Sequence, residues 1–340
     1  MNDPRETAAF LLDLSARIPR SEAGVLFRAL RERACGLAVP PAAETAEALS
    51  IGELCRVLPR RISGGAPGEA TLRRLSELCA APAPEEAAAL EADAACLLSL
   101  AQEGRLPFSP EEARRAMDAW RKSGYSFAPG PSDPVPAYYV IRREHAKLLR
   151  PLARLDHLLS AQDRVIAALD GGSASGKTSA AALLQTLYGA SVFHMDDFFL
   201  RPEQRTAARL AQPGGNVDYE RFSQEVLAPL TRGEPVCFRR YDCRTQTLEP
   251  PRRVVPGALT VVEGAYSMRP ELAPVYDLSV FFSITPAEQH RRIRLRNPPA
   301  MQAMFCSLWI PLENFYFQAM DVPSRCDLVV NADDTPPVLP

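Results

Sequence analysis

The chain has 340 residues, with 39 Lys plus Arg against 41 Asp plus Glu and a formal charge of −2. That near balance excludes the overall basic field by which proteins hold nucleic acid or anionic lipid, and points to a small-molecule partner. No apolar run approaches the roughly 20 residues of a bilayer span, and the N-terminus MNDPRETAAF lacks the basic and apolar regions of a signal peptide, so a cytoplasmic location is expected.

Residues 1–126 read as a series of short amphipathic helices, among them ETAAFLLDLSARI, EAGVLFRALRERACG, AEALSIGELCRVL and SPEEARRAMDAWRKSG. Apolar residues recur at three and four, and Ser109 before PEE has the form of an N-cap followed by proline at the first helical position. An all-α domain is expected here, with a role in homo-oligomerisation or docking. The eight cysteines form no C-x-x-C pair, and several sit on apolar helical positions, so they are expected to be buried free thiols.

The stretch FAPGPSDPVPA at 127–137 is too rich in proline and glycine for regular structure and reads as a linker. Residues 138–340 form the second expected domain. It opens with a helical pattern, YYVIRREHAKLLRPLARLDHLLSAQ, that Pro151 should kink or break. Beyond Arg164 short β-branched or aromatic runs (RVIAALD, SVFHMD, ALTVVEG, LSVFFSI, CDLVVNA) alternate with helical segments. That alternation predicts an α/β fold, a mostly parallel sheet flanked by helices.

The first of those runs leads into Gly171, Gly172, Ser173, Ala174, Ser175, Gly176, Lys177 and Thr178, which fit G-x-x-x-x-G-K-[ST] between a strand and a helix. Glycines at these places let backbone N–H groups turn inward around phosphate oxygens, the helix N-terminus adds partial positive charge, and Thr178 offers a hydroxyl to Mg²⁺. The chain has only three lysines, Lys122, Lys147 and Lys177. A compact ammonium reaches the β- and γ-phosphates of ATP inside such a loop, where a wide guanidinium does not.

In open α/β sheets the ligand lies outside the carboxyl ends of the strands, so acids there carry weight. Asp196 and Asp197 follow the second run, and Glu263 ends the ALTVVEG run. One carboxylate near a γ-phosphate can accept the proton of an attacking hydroxyl while another helps hold Mg²⁺; Asp196 is assigned the first role and Glu263 the second, with Asp196 also near the metal. The guanine-reading N-K-x-D element of switch GTPases is absent, as is a second phosphate loop.

With these residues in view, 164 to about 332 resembles the uridine kinase family, with the nicotinamide riboside kinases close to it. GGSASGKT is similar to the family's phosphate loop, HMDDFF to the element bearing its general base at Asp196, GGNVDYERF to the ribose-holding stretch at Asp218, RRYDCRTQT to the nucleoside-contacting element at Tyr241, VVEGAYS to the strand end at Glu263, and HRRIRLRN to the start of the arginine lid. The resemblance implies an α/β P-loop NTPase fold, an ATP- and Mg²⁺-dependent transfer of phosphate to a hydroxyl of a nucleoside or nucleoside-like molecule, and Arg292 and Arg296 as neutralisers of transition-state charge.

Two departures stand out. Gln246 lies near the position where uridine kinases carry a pyrimidine-reading histidine, and the lid runs on as NPPAMQAMFCSLWIPLENFYFQ, with two prolines that should break its helix early. His194, beside the expected base, is a candidate to touch the acceptor. A nucleotide-dependent regulatory module with its output through the helical domain is the alternative reading. Trp309, Phe315, Tyr316 and Phe317 form an aromatic cluster that could line the acceptor pocket, though core packing is the blander reading.

Overall fold

The computed structural model describes residues 3–17, 23–34, 48–51, 54–57, 65–79, 82, 84–126 and 139–333. The expected linker at 127–137 lies outside them. The chain folds as two compact units, Met1–Ala146 and Lys147–Pro337, so residues 138–146 fall with the first unit rather than opening the second.

The first unit contains helices α1 (Pro4–Arg17), α2 (Ala23–Ala34), α3 (Glu69–Glu77), α4 (Pro84–Gln102) and α5 (Pro110–Lys122). The apolar faces of α1, α2, α4 and α5 close on one core through Leu11, Leu26, Phe27, Leu97 and Trp120, each such side chain contributing about 1.5–3 kcal/mol by leaving water. Ser109 caps α5 as expected: its hydroxyl accepts from Glu112 N at 3.2 Å, and Glu112 Oε2 accepts from Ser109 N at 2.7 Å. One expectation is corrected. The segment read as the helix AEALSIGELCRVL instead supplies strands β1 (Ala48–Ile51) and β2 (Leu54–Val57), which pair antiparallel with each other, and β2 pairs antiparallel with β3 (Tyr139–Arg142). The unit is therefore helix-rich with a small sheet, not all-α. A short helix, α6 (Arg143–Ala146), ends it.

The second unit begins at α7 (Leu149–Ala161), with Pro151 in its first turn, where the missing N–H costs nothing; the proline opens this helix and does not kink it. Then come β4 (Val165–Gly171), α8 (Lys177–Tyr188) and β5 (Ser191–His194). A long excursion follows, with α9 (Ala207–Leu210), α10 (Tyr219–Phe222), α11 (Ala228–Arg232) and four short strands, β6 (Val236–Phe238), β7 (Tyr241–Asp242), β8 (Thr247–Leu248) and β9 (Arg252–Val254). The chain returns through β10 (Leu259–Glu263), β11 (Leu278–Ser283), α12 (Pro286–Arg296), α13 (Pro299–Met304), α14 (Ile310–Ala319), α15 (Val322–Arg325) and β12 (Leu328–Asn331).

Five of these strands form a parallel sheet in the order β12-β11-β4-β10-β5. Burial of β4, β10 and β11 on both faces explains their continuous apolar runs. Because β4 precedes β5 in sequence while β10 sits between them, and β11 lies on the other side of β4, the carboxyl end of β4 is a place where the connections diverge and a crevice opens. Under that end, Phe193, Phe198, Phe222 and Phe238 pack as a cluster, with Phe198 and Phe222 edge to face at 4.9 Å.

The six described cysteines not in the first sheet are free, but none is buried: Cys237, Cys243 and Cys306 are exposed, and Cys79, Cys96 and Cys326 half-buried. The expectation of buried thiols is thus corrected for these six, although Cys96 and Cys326 pack against the edges of the two cores. No described helix is long and apolar enough to cross a membrane.

Candidate active site

The phosphate loop connects β4 to α8. Gly171 has φ +141, and a Cβ on it would lie 2.4 Å from the Phe282 carbonyl oxygen of β11, so the strand's neighbour demands glycine. Gly176 is the left-handed N-cap of α8, with φ +95. Lys177 is buried, and its Nζ donates to Gly171 O at 2.7 Å and Gly172 O at 2.9 Å, which ties the ammonium to the loop backbone.

The loop is also held from the lid side. Glu313 of α14 is buried and accepts from Ser173 N at 2.8 Å and from Ser173 Oγ at 2.5 Å. Gln289 of α12 donates to Ser173 O at 2.9 Å, and Arg292 donates to Ala174 O at 3.2 Å and Ala332 O at 2.6 Å. Burial pushes the Glu313 carboxyl up, against the pull of Lys177. Beneath the loop, fully buried Asp170 accepts from Gly171 N, Met268 N and the Tyr316 hydroxyl at 2.7, 2.9 and 2.8 Å, which fixes the strand end. Tyr316 is therefore core, as the blander reading of the aromatic cluster had it.

Parallel pairing sets Glu263 of β10 beside His194 of β5. Glu263 is buried, pairs with His194 Nδ1, and has both carboxylate oxygens 3.4 Å from Thr178 Oγ1. The hydrogen bond to Glu263 raises the imidazole's pKa, with burial opposing. Thr178 and Glu263 offer hard oxygen donors close together at the foot of the phosphate loop, the kind of partial set on which Mg²⁺ sits while keeping waters and phosphate oxygens as its other ligands. These residues fit that ion.

Asp196 follows in the 3₁₀ turn Met195–Phe198. The enclosing walls push its carboxyl up, Lys177 pulls it down, and Glu263 adds to the rise. The side chain is exposed to the cavity, and that opening screens the push.

Two adjoining cavities meet at these groups. The first, about 340 Å³, is lined by the loop with Lys177, Thr178, Glu263, Arg292 and Arg296. The second, about 470 Å³, is walled by Phe199, Leu200, Leu308, Trp309 and Leu312 with Arg205 and Asn216. Ser173, Asp196, Ala265, Phe305 and Glu313 line both.

The structure thus brings Lys177, Thr178, Asp196, Glu263, Arg292 and Arg296 around one space. It does not bring the expected acceptor residues there. Asp218 is buried, caps α10 by accepting from Arg221 N at 3.1 Å, and accepts from Gln204 Nε2 at 2.9 Å. Tyr241 is buried with its hydroxyl accepting from Arg205 at 2.8 Å, Gln246 sits exposed in the β7–β8 turn at φ +58, and His194 serves Glu263. None of these four lines either cavity.

Sequence reasoning missed Glu313, Arg205 and Asn216, and left Trp309 open between pocket and core. Glu313 had a signal, as the one acid in the apolar lid stretch 305–317. The lid does break as its prolines required: α12 stops at Arg296 and α13 restarts at Pro299.

A parallel sheet in this order, with a lysine-bearing phosphate loop after its central strand, defines a P-loop nucleotide-binding fold. No family model and no curated protein matches the chain. Among solved structures, one described as a possible uridine kinase from Bacillus stearothermophilus aligns at 24% identity over 52% of this chain and 97% of that one, with a TM-score of 0.39. Shikimate kinases from Aquifex aeolicus (15% identity, 50% of this chain and 89% of that one, TM-score 0.29) and Bacteroides thetaiotaomicron (12%, 49% and 86%, 0.27) also align.

Proposed function

We propose that the second unit is an ATP-dependent phosphotransferase acting on a hydroxyl of a small molecule of about nucleoside size. The observation that carries this reading is Asp196, a carboxylate on the shared wall between a phosphate cavity and a second, mostly apolar cavity. A transferase needs an acid that faces both the phosphate and the space for an acceptor, and Asp196 is on both walls.

In this reading the loop amides and Lys177 hold the β- and γ-phosphates. The acceptor oxygen attacks the γ-phosphorus, a new O–P bond forms, the bond to the β–γ bridging oxygen breaks, the hydroxyl proton passes to Asp196, and ADP leaves. Arg292 and Arg296, on the wall of the phosphate cavity, offset charge on the transferring group. Thr178 and Glu263 would hold Mg²⁺, which when bound supplies further neutralisation of phosphate charge.

The test is Asp196→Asn. ATP binding should persist while acceptor-dependent ADP release falls by about two to four orders of magnitude, the usual span for a general base. Acceptor-dependent turnover at the unaltered rate would remove the assignment.

A nucleotide-dependent regulatory module is the second reading, favoured by Asp218, Tyr241 and Gln246 lying off the cavities. A screen of nucleosides and other alcohols separates the two. ADP release at one trace rate with every alcohol and with none would support the module.

A further inference from the structure

We propose that the acceptor is an amphipathic hydroxy acid, with an apolar body seated against Trp309 and Phe199 and a carboxylate paired with Arg205. This deepens the phosphotransferase reading and rests on it. The second cavity is walled mainly by Phe199, Leu200, Leu210, Leu308, Trp309 and Leu312, and among the described residues Arg205 is the one cation on that wall. A flat or branched apolar group fills such a space at a gain proportional to the area it removes from water.

Arg205 is unlike the arginines near it. Arg201, Arg209, Arg221 and Arg240 each pair with a carboxylate, namely Glu203, Glu220, Asp218 and Asp197. Arg205 donates only to neutral oxygens, Leu200 O at 3.0 Å and the Tyr241 hydroxyl at 2.8 Å. Those two bonds orient the guanidinium and leave its charge without a carboxylate partner among the described residues. A guanidinium held in place on an apolar wall is suited to a planar anion, which it can meet with two parallel bonds.

The rest of the wall argues against recognition through a sugar. Both oxygens of Asp218, the acid that the family resemblance assigns to a ribose diol, are engaged by Arg221 N and Gln204 Nε2, outside the cavity. The acids that do line the cavity are Asp196, reserved for the reacting hydroxyl, and Glu313, bonded to Ser173. The neutral polar groups on the wall, Asn216 and Tyr266, are hydrogen-bonded to each other, so a second hydroxyl competes with that bond, whereas a carboxylate finds Arg205.

The experiment uses the full chain with Mg²⁺-ATP and offers phenyllactate and mandelate, each against its primary amide, and uridine as a neutral nucleoside. ADP release gives kcat/KM for each, and Trp309 fluorescence reads occupancy independently, since the chain's other tryptophan, Trp120, lies in the first unit. The acids should exceed their amides by about tenfold or more, the range for a hydrogen bond to a charged group. Arg205→Gln should bring the acids down to the amides, and Arg205→Lys should keep part of the preference.

Acids no better than amides in the unaltered protein, or a preference that survives Arg205→Gln, overturns the inference. Asp196-dependent turnover of uridine or the amides without a charge preference sinks this inference alone. Arg205-dependent quenching of Trp309 by the acids with no ADP released sinks the transferase reading and leaves Arg205 as the anion-binding group.

Discussion

Gly171 shows how a single residue couples the fold to the site. Its carbonyl receives the Lys177 ammonium, its N–H is fixed by Asp170, and its missing side chain lets β11 run alongside β4. Alanine at this position meets two penalties together, a left-handed backbone at φ +141 and a Cβ 2.4 Å from the Phe282 oxygen. Neither can be relieved by a side-chain rotation, because both partners are backbone. Gly171→Ala should therefore lower unfolding free energy by about 1–3 kcal/mol, the range of overpacked interior positions. Urea denaturation of the two proteins measures this. A loss under about 0.5 kcal/mol would show that the strands part easily here.

The same residues explain what a linear reading can and cannot reach. Gly171 to Thr178, Asp196 and Glu263 were legible because each is announced locally: a glycine pattern between strand and helix, or an acid closing an apolar run. Arg205, Asn216, Trp309 and Glu313 come from separate segments that meet only when the lid folds over the sheet, and nothing next to Arg205 in sequence announces that it will lack a carboxylate. Asp218 illustrates the reverse. Its motif was visible, but the Gln204 and Arg221 bonds that occupy it were not.

At the scale of elements, α12 is held by its own charges. Glu288 accepts from Arg291 Nε and Nη2 at 2.6 Å each and from Arg292 Nε at 2.7 Å, and Arg292 in turn reaches Ala174 O in the phosphate loop. Arg291, then Arg292, hold the Glu288 carboxyl down at about 2. A folded-state pKa below the unfolded value of 4.5 means that stability from this group is complete above 4.5 and is lost as pH falls through about 2. Solvent screening keeps the effect small, under about 1 kcal/mol for such a pair. Glu288→Gln should accordingly cost a few tenths of a kcal/mol at pH 7, and the gap from the unaltered protein should narrow as pH is lowered toward 2. Denaturant titrations at pH 7, 4 and 3 follow it; a gap that widened toward acid would contradict the assigned pairing.

The elements also differ in how far sequence revealed them. The five core strands each carry an apolar run long enough to read. The first unit's strands do not: Ala48–Ile51 and Leu54–Val57 are four residues each, and their apolar spacing fits a helix equally well. What decides for strand is β3, more than eighty residues along the chain, and no local window contains it.

For the whole molecule, the division at Ala146 and Lys147 gives each unit its own buried core, one built on Phe27 and Trp120 and the other on Phe193, Phe198 and Tyr316. Every residue assigned to phosphate, metal or acceptor lies in the second. A ligand stabilises only the cooperative unit whose folded state binds it, by RT ln(1 + [L]/Kd), about 2.7 kcal/mol when ATP stands at a hundred times its Kd. Scanning calorimetry of the full chain should therefore resolve two transitions. Mg²⁺-ATP should move one of them upward and leave the other where it was, because the residues assigned to its phosphates all lie in the second unit. A single transition that shifts as a whole would mean that the two cores unfold together, and that energy from the phosphate loop reaches the helices of the first unit.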